Sequence, residues 1–172
     1  MSRLIPVITA EQIAERLQQL GAEISRHYEG EPLVCVCVLK GAFIFFADLV
    51  RHITIGPELD FVRLASYGQS TNSSGQVVFS KDLEVSLDGK HVLIVEDIVD
   101  TGNSIAFLRH VFEKRGPKSL KICALVDKHE RREIALDIDF KGFTASGFIV
   151  GYGLDFAEKY RELPAIYELV ED

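Results

Sequence analysis

The densest chemistry in the chain lies over residues 96–104, which read Glu-Asp-Ile-Val-Asp-Thr-Gly-Asn-Ser. Its first part supplies two adjacent acids, Glu96 and Asp97, and Asp100 adds a third carboxylate. Its second part, Thr101, Gly102, Asn103 and Ser104, is rich in hydroxyls and turn formers. At the entry to a helix, such a turn can bring backbone N–H groups and the positive end of the helix together on one phosphate. Two acids alone read most simply as a solvated strand end. An apolar strand, an acid pair and a phosphate turn at fixed spacing make a far more specific signal.

These side chains need a strand before them and a helix after them. Residues 91–95 form a short, continuously apolar run suited to a strand buried on both faces, 103–115 read as a helix, and Gly116–Pro117 breaks it. Upstream, Thr9 and Gln12 have capping-box spacing, and Ile13, Leu17, Leu20 and Ile24 recur at helical period to about His27. Residues 33–38 read as a buried strand, 42–52 as a helix and 59–65 as a strand. The polar stretch 66–76, with Gly68, Asn72, Ser73, Ser74 and Gly75, reads as a mobile loop. A turn at Asp88–Gly89, a strand at 119–126 and short strands at 148–150 and 166–170 complete the pattern. Strands alternating with helices imply an α/β fold, a mostly parallel sheet flanked by helices, with ligands at the carboxyl ends of the strands.

A chain of 172 residues, 47% hydrophobic, can bury one good core, so a single domain over 1–172 is expected. The net charge of −7 disfavours nucleic acid as a partner, because counterion displacement needs a basic face. A small anion would then need Mg²⁺ or a local basic cluster. Cys35, Cys37 and Cys123 lie in apolar runs without zinc-site spacing and read as inert core thiols. Without a signal-peptide pattern or a long uncharged apolar run, the expectation is a cytoplasmic protein with no membrane partner. Neither a Gly-x-x-x-x-Gly-Lys-Ser/Thr loop nor a dinucleotide-binding glycine fingerprint occurs, which disfavours a nucleoside-triphosphate hydrolase and a plain dehydrogenase.

Residues 92–104 resemble the phosphoribosyl-pyrophosphate motif of the phosphoribosyltransferases, and further segments are similar to the hypoxanthine-guanine branch. The resemblance implies a type I phosphoribosyltransferase fold with a small base-binding hood built from the N- and C-terminal segments. It implies purine salvage: transfer of 5-phosphoribose from phosphoribosyl pyrophosphate to a 6-oxopurine base, giving IMP or GMP. Thr101, Gly102, Asn103 and Ser104 would hold the 5′-phosphate, Glu96 and Asp97 would face the ribose hydroxyls, and Asp100 would act near the purine N7.

Leu39-Lys40-Gly41 resembles the family's pyrophosphate loop, in which the peptide before the lysine can be cis. Ser66-Tyr67 is similar to the start of its flexible lid, here about 66–76. Lys128 matches the lysine that bonds the exocyclic oxygen of the base, and Arg132 falls near an arginine on the pyrophosphate side. Phe148 and Ile149 resemble the base-stacking segment. Asp155 would serve both the base and a second Mg²⁺, and Arg161 the pyrophosphate. Glu96, Asp97 and Asp155 are the implied metal-facing carboxylates. Asn103 departs from the lysine of some members, leaving the ranking of oxopurines open. A homodimer or homotetramer is expected, with Phe43, Phe45 and Phe46 offering an apolar contact. A nucleotide-controlled RNA-binding protein of the same fold is the rival reading, disfavoured by the acidic charge and by Lys128 and Phe148.

Overall fold

A computed structural model describes residues 2–67 and 76–171. At its centre, β5 (His91–Val99) lies parallel to β2 (Leu33–Leu39) on one side and to β6 (Ser119–Asp127) on the other. Beyond β2 run β3 (Glu58–Tyr67) and antiparallel β4 (Gln76–Lys81). Beyond β6 lies β7 (Phe140–Thr144), so the described residues give a six-stranded sheet in the order β4-β3-β2-β5-β6-β7. Along β2, Leu33, Cys35 and Cys37 face one core while Val34, Val36 and Val38 face another. The first core packs against α1 (Ala10–His27) and α2 (Phe43–Val50), and the second against α3 (Asn103–Glu113). Both pleat faces are covered, which is why these strands read as unbroken apolar runs.

A smaller antiparallel sheet pairs β1 (Ser2–Ile8) with β9 (Ile166–Glu171), and β9 with β8 (Ile149–Val150). It draws on both ends of the chain. Helix α1 follows through a capping box: the Thr9 hydroxyl accepts from the Gln12 N–H at 3.2 Å, and the Gln12 side chain accepts from the Thr9 N–H at 2.8 Å. Among the described residues no helix is long and apolar enough to cross a membrane. The three cysteines are buried free thiols, and burial pushes those of Cys35 and Cys37 up to about 12.

The structure revises several boundaries. Strand β5 does not stop at Val95 but continues to Val99, because Glu96, Ile98 and Val99 still pair with Ala124, Val126 and Asp127 of β6. Ser66 and Tyr67, read as the opening of a loop, lie in β3 and pair with Val77 and Gln76. The rest of that supposed lid, 68–75, lies outside the described residues. Strands β1, β4 and β7 have no legible pattern of their own: β1 is defined by β9 at the other end of the chain, and β4 and β7 by pairing with β3 and β6. Phe45 and Phe46 belong to the core, leaving only Phe43 of that trio exposed.

Asp60 on β3 shows how a buried charge is kept here. Its carboxylate accepts from the N–H groups of Phe61 at 2.7 Å, Glu84 at 2.7 Å and Val85 at 2.9 Å, and Lys81 lies 3.7 Å away. Burial alone would push this carboxyl up, but the backbone donors and Lys81 together outweigh it and hold it below the usual range. Its stabilising effect is therefore complete above the unfolded value of about 3.9 and is lost as pH falls through the lower folded value. Asp60→Ala should cost about 1–3 kcal/mol in urea unfolding at pH 7, because buried donors lose their acceptor. The gap to wild type should shrink below about pH 4.

Candidate active site

At Val95 the sheet opens. Strand β2 pairs with β5 only as far as Cys37 opposite Val95, and its chain then turns through Lys40 and Gly41 into α2. Strand β5 runs on with only β6 beside it, so one flank of residues 96–99 borders a cavity of about 350 Å³. Its walls include Leu39, Gly41, Glu96, Asp97, Asp100, Thr101, Gly102, Ser104, Asp155 and Arg161. A second cavity of about 200 Å³ is lined by Lys128, Arg131, Phe148, Ile149 and Leu154, and shares Asp97, Ile98, Asp100 and Asp155 with the first. The site is thus two chambers with a common wall of carboxylates.

The turn at the first chamber depends on Gly102, whose φ of +90° falls in the left-handed region and where an added Cβ would meet Leu136 at 2.8 Å. The Thr101 carbonyl accepts from the N–H groups of Glu133 at 3.0 Å and Ile134 at 3.2 Å, which fixes the turn from behind. Asn103 starts α3, but its side chain donates to Glu133 at 2.8 Å and does not line the chamber. At the opposite wall the Leu39–Lys40 peptide is cis. Gly41 lies so close to Asp97 that a Cβ there would overlap the carboxylate.

Glu96 and Asp97 are both buried. Burial, and after it the neighbouring Asp97 charge, pushes Glu96 well above the usual carboxylate range. Asp97 is raised by burial too, but the Glu96 hydrogen bond, the Ile98 N–H and the Arg161 charge pull against it. Burial thus disfavours holding both charges in the empty site. Asp100 presents one oxygen to Arg131 at 3.3 Å, and its other oxygen, Oδ1, is buried with no hydrogen-bond partner among the described residues. Asp100 lines both cavities, and an orphan acceptor on such a residue is suited to receive a donor from a ligand.

Arg161 donates to the Gly153 carbonyl at 2.7 Å and pairs with Asp155 at 3.0 Å, while its Nε is buried and unpartnered among the described residues. Lys40 does not line the chamber. Its ammonium pairs with Glu158 at 3.0 Å, an acid the sequence offered no reason to select. Lys128 is buried on the second chamber, which the half-exposed ring of Phe148 also lines, and that ring packs edge-on against Phe156 at 5.6 Å.

Arg132 lies outside the lining of both chambers. It donates to Asp127 at 2.6 Å and to the carbonyls of Asp100 at 2.8 Å, Val99 at 3.1 Å and Lys128 at 3.1 Å. It therefore ties the ends of β5 and β6 together and contributes to neither chamber wall. Arg131, a charge that is 69% exposed, sets one guanidinium nitrogen 3.3 Å from Asp100. Among the described residues no three His, Cys, Asp or Glu side chains converge into a set that could hold a metal unaided, so Glu96, Asp97 and Asp155 form no closed cage. An ion here would need ligand and water oxygens as well.

Residues 8–157 match the family model described as phosphoribosyl transferase domain. The chain is 45% identical over 161 residues to the hypoxanthine-guanine phosphoribosyltransferase of Bacillus subtilis (strain 168), covering 93% of this chain and 89% of that protein. It is 41% identical over 174 residues to the hypoxanthine phosphoribosyltransferase of Escherichia coli (strain K12), covering 99% and 98%. A crystal structure of a hypoxanthine-guanine phosphoribosyltransferase from Bacillus anthracis superposes with a TM-score of 0.90 at 42% identity, covering 99% of this chain and 100% of that one.

The acid pair gives a pH-dependent expectation. Because the folded value of Glu96 lies above its unfolded value of about 4.3, stability tied to this group is greatest below that pH and is lost as pH rises through the folded value. Glu96→Gln removes the buried acid while keeping its shape. In thermal unfolding the variant should be more stable than wild type at neutral pH, with the gap widening by at most about 1.4 kcal/mol per pH unit above about pH 4.3. A gap that stays flat from pH 5 to 8 would show that Glu96 ionises freely in the folded protein.

Proposed function

The chain belongs to the phosphoribosyl transferase domain family, and on that premise we propose that it serves purine salvage by transferring 5-phosphoribose from phosphoribosyl pyrophosphate to hypoxanthine or guanine. The products are IMP or GMP and pyrophosphate. One observation carries the reading: a phosphate-type turn and a Lys128–Phe148 cleft occupy adjoining chambers that share Asp97, Asp100 and Asp155. A sugar phosphate and a flat base brought together there would meet across that wall.

In this reading the N–H groups and hydroxyls of Thr101, Gly102 and Ser104 hold the 5′-phosphate at the start of α3, with Asn103 contributing only its backbone. Glu96 and Asp97 receive the ribose hydroxyls. Leu39 and Gly41 border the departing pyrophosphate, and Arg161 offers it a guanidinium with one nitrogen already desolvated and unpartnered among the described residues. Lys128 donates to the exocyclic oxygen of the base, Phe148 stacks on its face, and the Ile149 and Asp155 backbone meets its edge.

A ring nitrogen of the base attacks the ribose carbon as the bond to pyrophosphate breaks, and the Asp100 orphan oxygen accepts the proton that the purine must share or lose. Glu96, Asp97 and Asp155 are hard oxygen donors suited to Mg²⁺ when phosphate oxygens complete the set, and the ion would neutralise charge growing on the leaving group. The buried, unreactive thiols suit the reducing cytoplasm. Exposed Phe43 and Phe61, lying beside buried Phe46, suit a contact with a second copy in a homodimer or homotetramer.

The reading is tested by incubating the protein with Mg²⁺, phosphoribosyl pyrophosphate and each of hypoxanthine, guanine, xanthine, adenine and uracil, and assaying nucleotide. Product confined to adenine or uracil would overturn it. Lys128→Ala should weaken binding of the oxopurine far more than that of phosphoribosyl pyrophosphate. Asp100→Asn should slow single-turnover transfer by about 10²- to 10⁴-fold, the usual loss when a positioned proton acceptor is removed, while phosphoribosyl-pyrophosphate affinity stays nearly unchanged. Normal single-turnover chemistry in that variant would remove Asp100 from the reaction.

A further inference from the structure

Lys128 and Phe148 both line the smaller chamber, yet they come from separate segments, the end of β6 and the entry to β8. A single side chain outside the chamber connects them. Oε2 of Glu130 lies 3.5 Å from the Lys128 ammonium and also accepts the Gly147 N–H at 3.1 Å. Glu130 stands in a Lys-His-Glu-Arg-Arg run where a solvated charge is the obvious reading, and its side chain is indeed 51% exposed. The Lys128 side chain is only 10% exposed. A buried ammonium is costly without a partner, and among the described residues Glu130 is the only carboxylate within salt-bridge reach of it.

The Gly147 end is as constrained. Its φ of +73° lies in the left-handed region that favours glycine, and a Cβ there would displace only the Glu168 carboxylate on β9. The next residue, Phe148, accepts the Leu169 N–H at 2.8 Å through its carbonyl. The backbone carrying the ring is thus fixed on one side by β9 and on the other by Glu130.

We infer that Glu130 is a positioning residue for the base, using one carboxylate oxygen to set Lys128 and to anchor the Phe148 strap across the chamber. This rests on the reading of that chamber as the base site. Half-exposed, Glu130 can be replaced without opening the core.

The test separates its two contacts. Glu130→Ala removes both, whereas Glu130→Gln keeps an acceptor for Gly147 but loses the charge facing Lys128. For Glu130→Ala, KM for hypoxanthine should rise about 3- to 30-fold, the range of one hydrogen bond plus a partly exposed ion pair, with KM for phosphoribosyl pyrophosphate within about twofold of wild type. Glu130→Gln should recover part of that loss. An unchanged KM for hypoxanthine in Glu130→Ala, or equal rises for both substrates, would overturn the inference. So would a Gln variant indistinguishable from Ala, which leaves the Gly147 contact idle, or one indistinguishable from wild type, which leaves the Lys128 contact idle.

Hydrogen exchange at the Gly147 amide reads the anchor without catalysis. It should be roughly tenfold or more faster in Glu130→Ala than in wild type, and slowed again in Glu130→Gln. Unchanged exchange in Glu130→Ala refutes the anchor whatever the assay shows. A wild-type protein making no nucleotide from any oxopurine, with exchange behaving as expected, refutes the base-site reading instead.

Discussion

The structure depends on holding two carboxylates side by side in the ladder of a parallel sheet. Glu96 and Asp97 follow four fully buried residues, Val92 to Val95, and remain buried themselves, so folding must take them out of water together. What keeps them there is β6, which continues to pair with β5 through Val99 after β2 has turned away. The backbone groups of the acid pair are satisfied on one flank, and the other flank is left for a ligand. A crevice at the carboxyl edge is thus a direct result of neighbouring strands ending at different heights.

Everything else on that edge is pinned from behind. Arg132 collects the carbonyls of Val99, Asp100 and Lys128 and the carboxylate of Asp127, so the strand ends carrying Asp100 and Lys128 are tied to one side chain. Arg161 does similar work on the other side by bonding the Gly153 carbonyl, and Gly153 packs so tightly on Gly41 that a side chain there would strike the Gly41 carbonyl. The fixed supports face inward to the protein. Of the three buried side-chain atoms without a partner among the described residues, two, Asp100 Oδ1 and Arg161 Nε, are on residues that line the chambers, and the third is the Tyr28 hydroxyl. Desolvated polar atoms without partners cost free energy in the empty site and favour a ligand that satisfies them.

The small sheet has a different logic. Strands β1 and β9 come from opposite ends of the chain, and β8 adds only two residues, so none of the three would be stable alone. Their pairing sets the Gly147–Phe148 segment against β9, while Leu154, Asp155 and Arg161 follow in the loops between β8 and β9. The Phe148 wall of that chamber therefore depends on β8 and the residue before it pairing with β9.

The sequence by itself determined the elements whose signals are local. The apolar runs in β2, β5 and β6 are legible because both faces of those strands are covered. The α1 cap is legible because Thr9 and Gln12 are three residues apart, and the segment from Glu96 to Ser104 because its chemistry is contiguous. Resemblance to a family carried Lys128, Phe148, Asp155 and Arg161, which no local pattern marks. Tertiary structure alone decided the rest. It placed the acid pair inside a strand rather than in a loop, since only the partner strand β6 extends the ladder. It assigned Arg132 to backbone support and Arg131 to Asp100, because adjacent charged residues look alike until the surrounding carbonyls are in place. It paired Lys40 with Glu158 and Lys128 with Glu130. Periodicity reports which way a residue faces along its own segment, whereas the partner of a charge is fixed by chains that meet only in three dimensions.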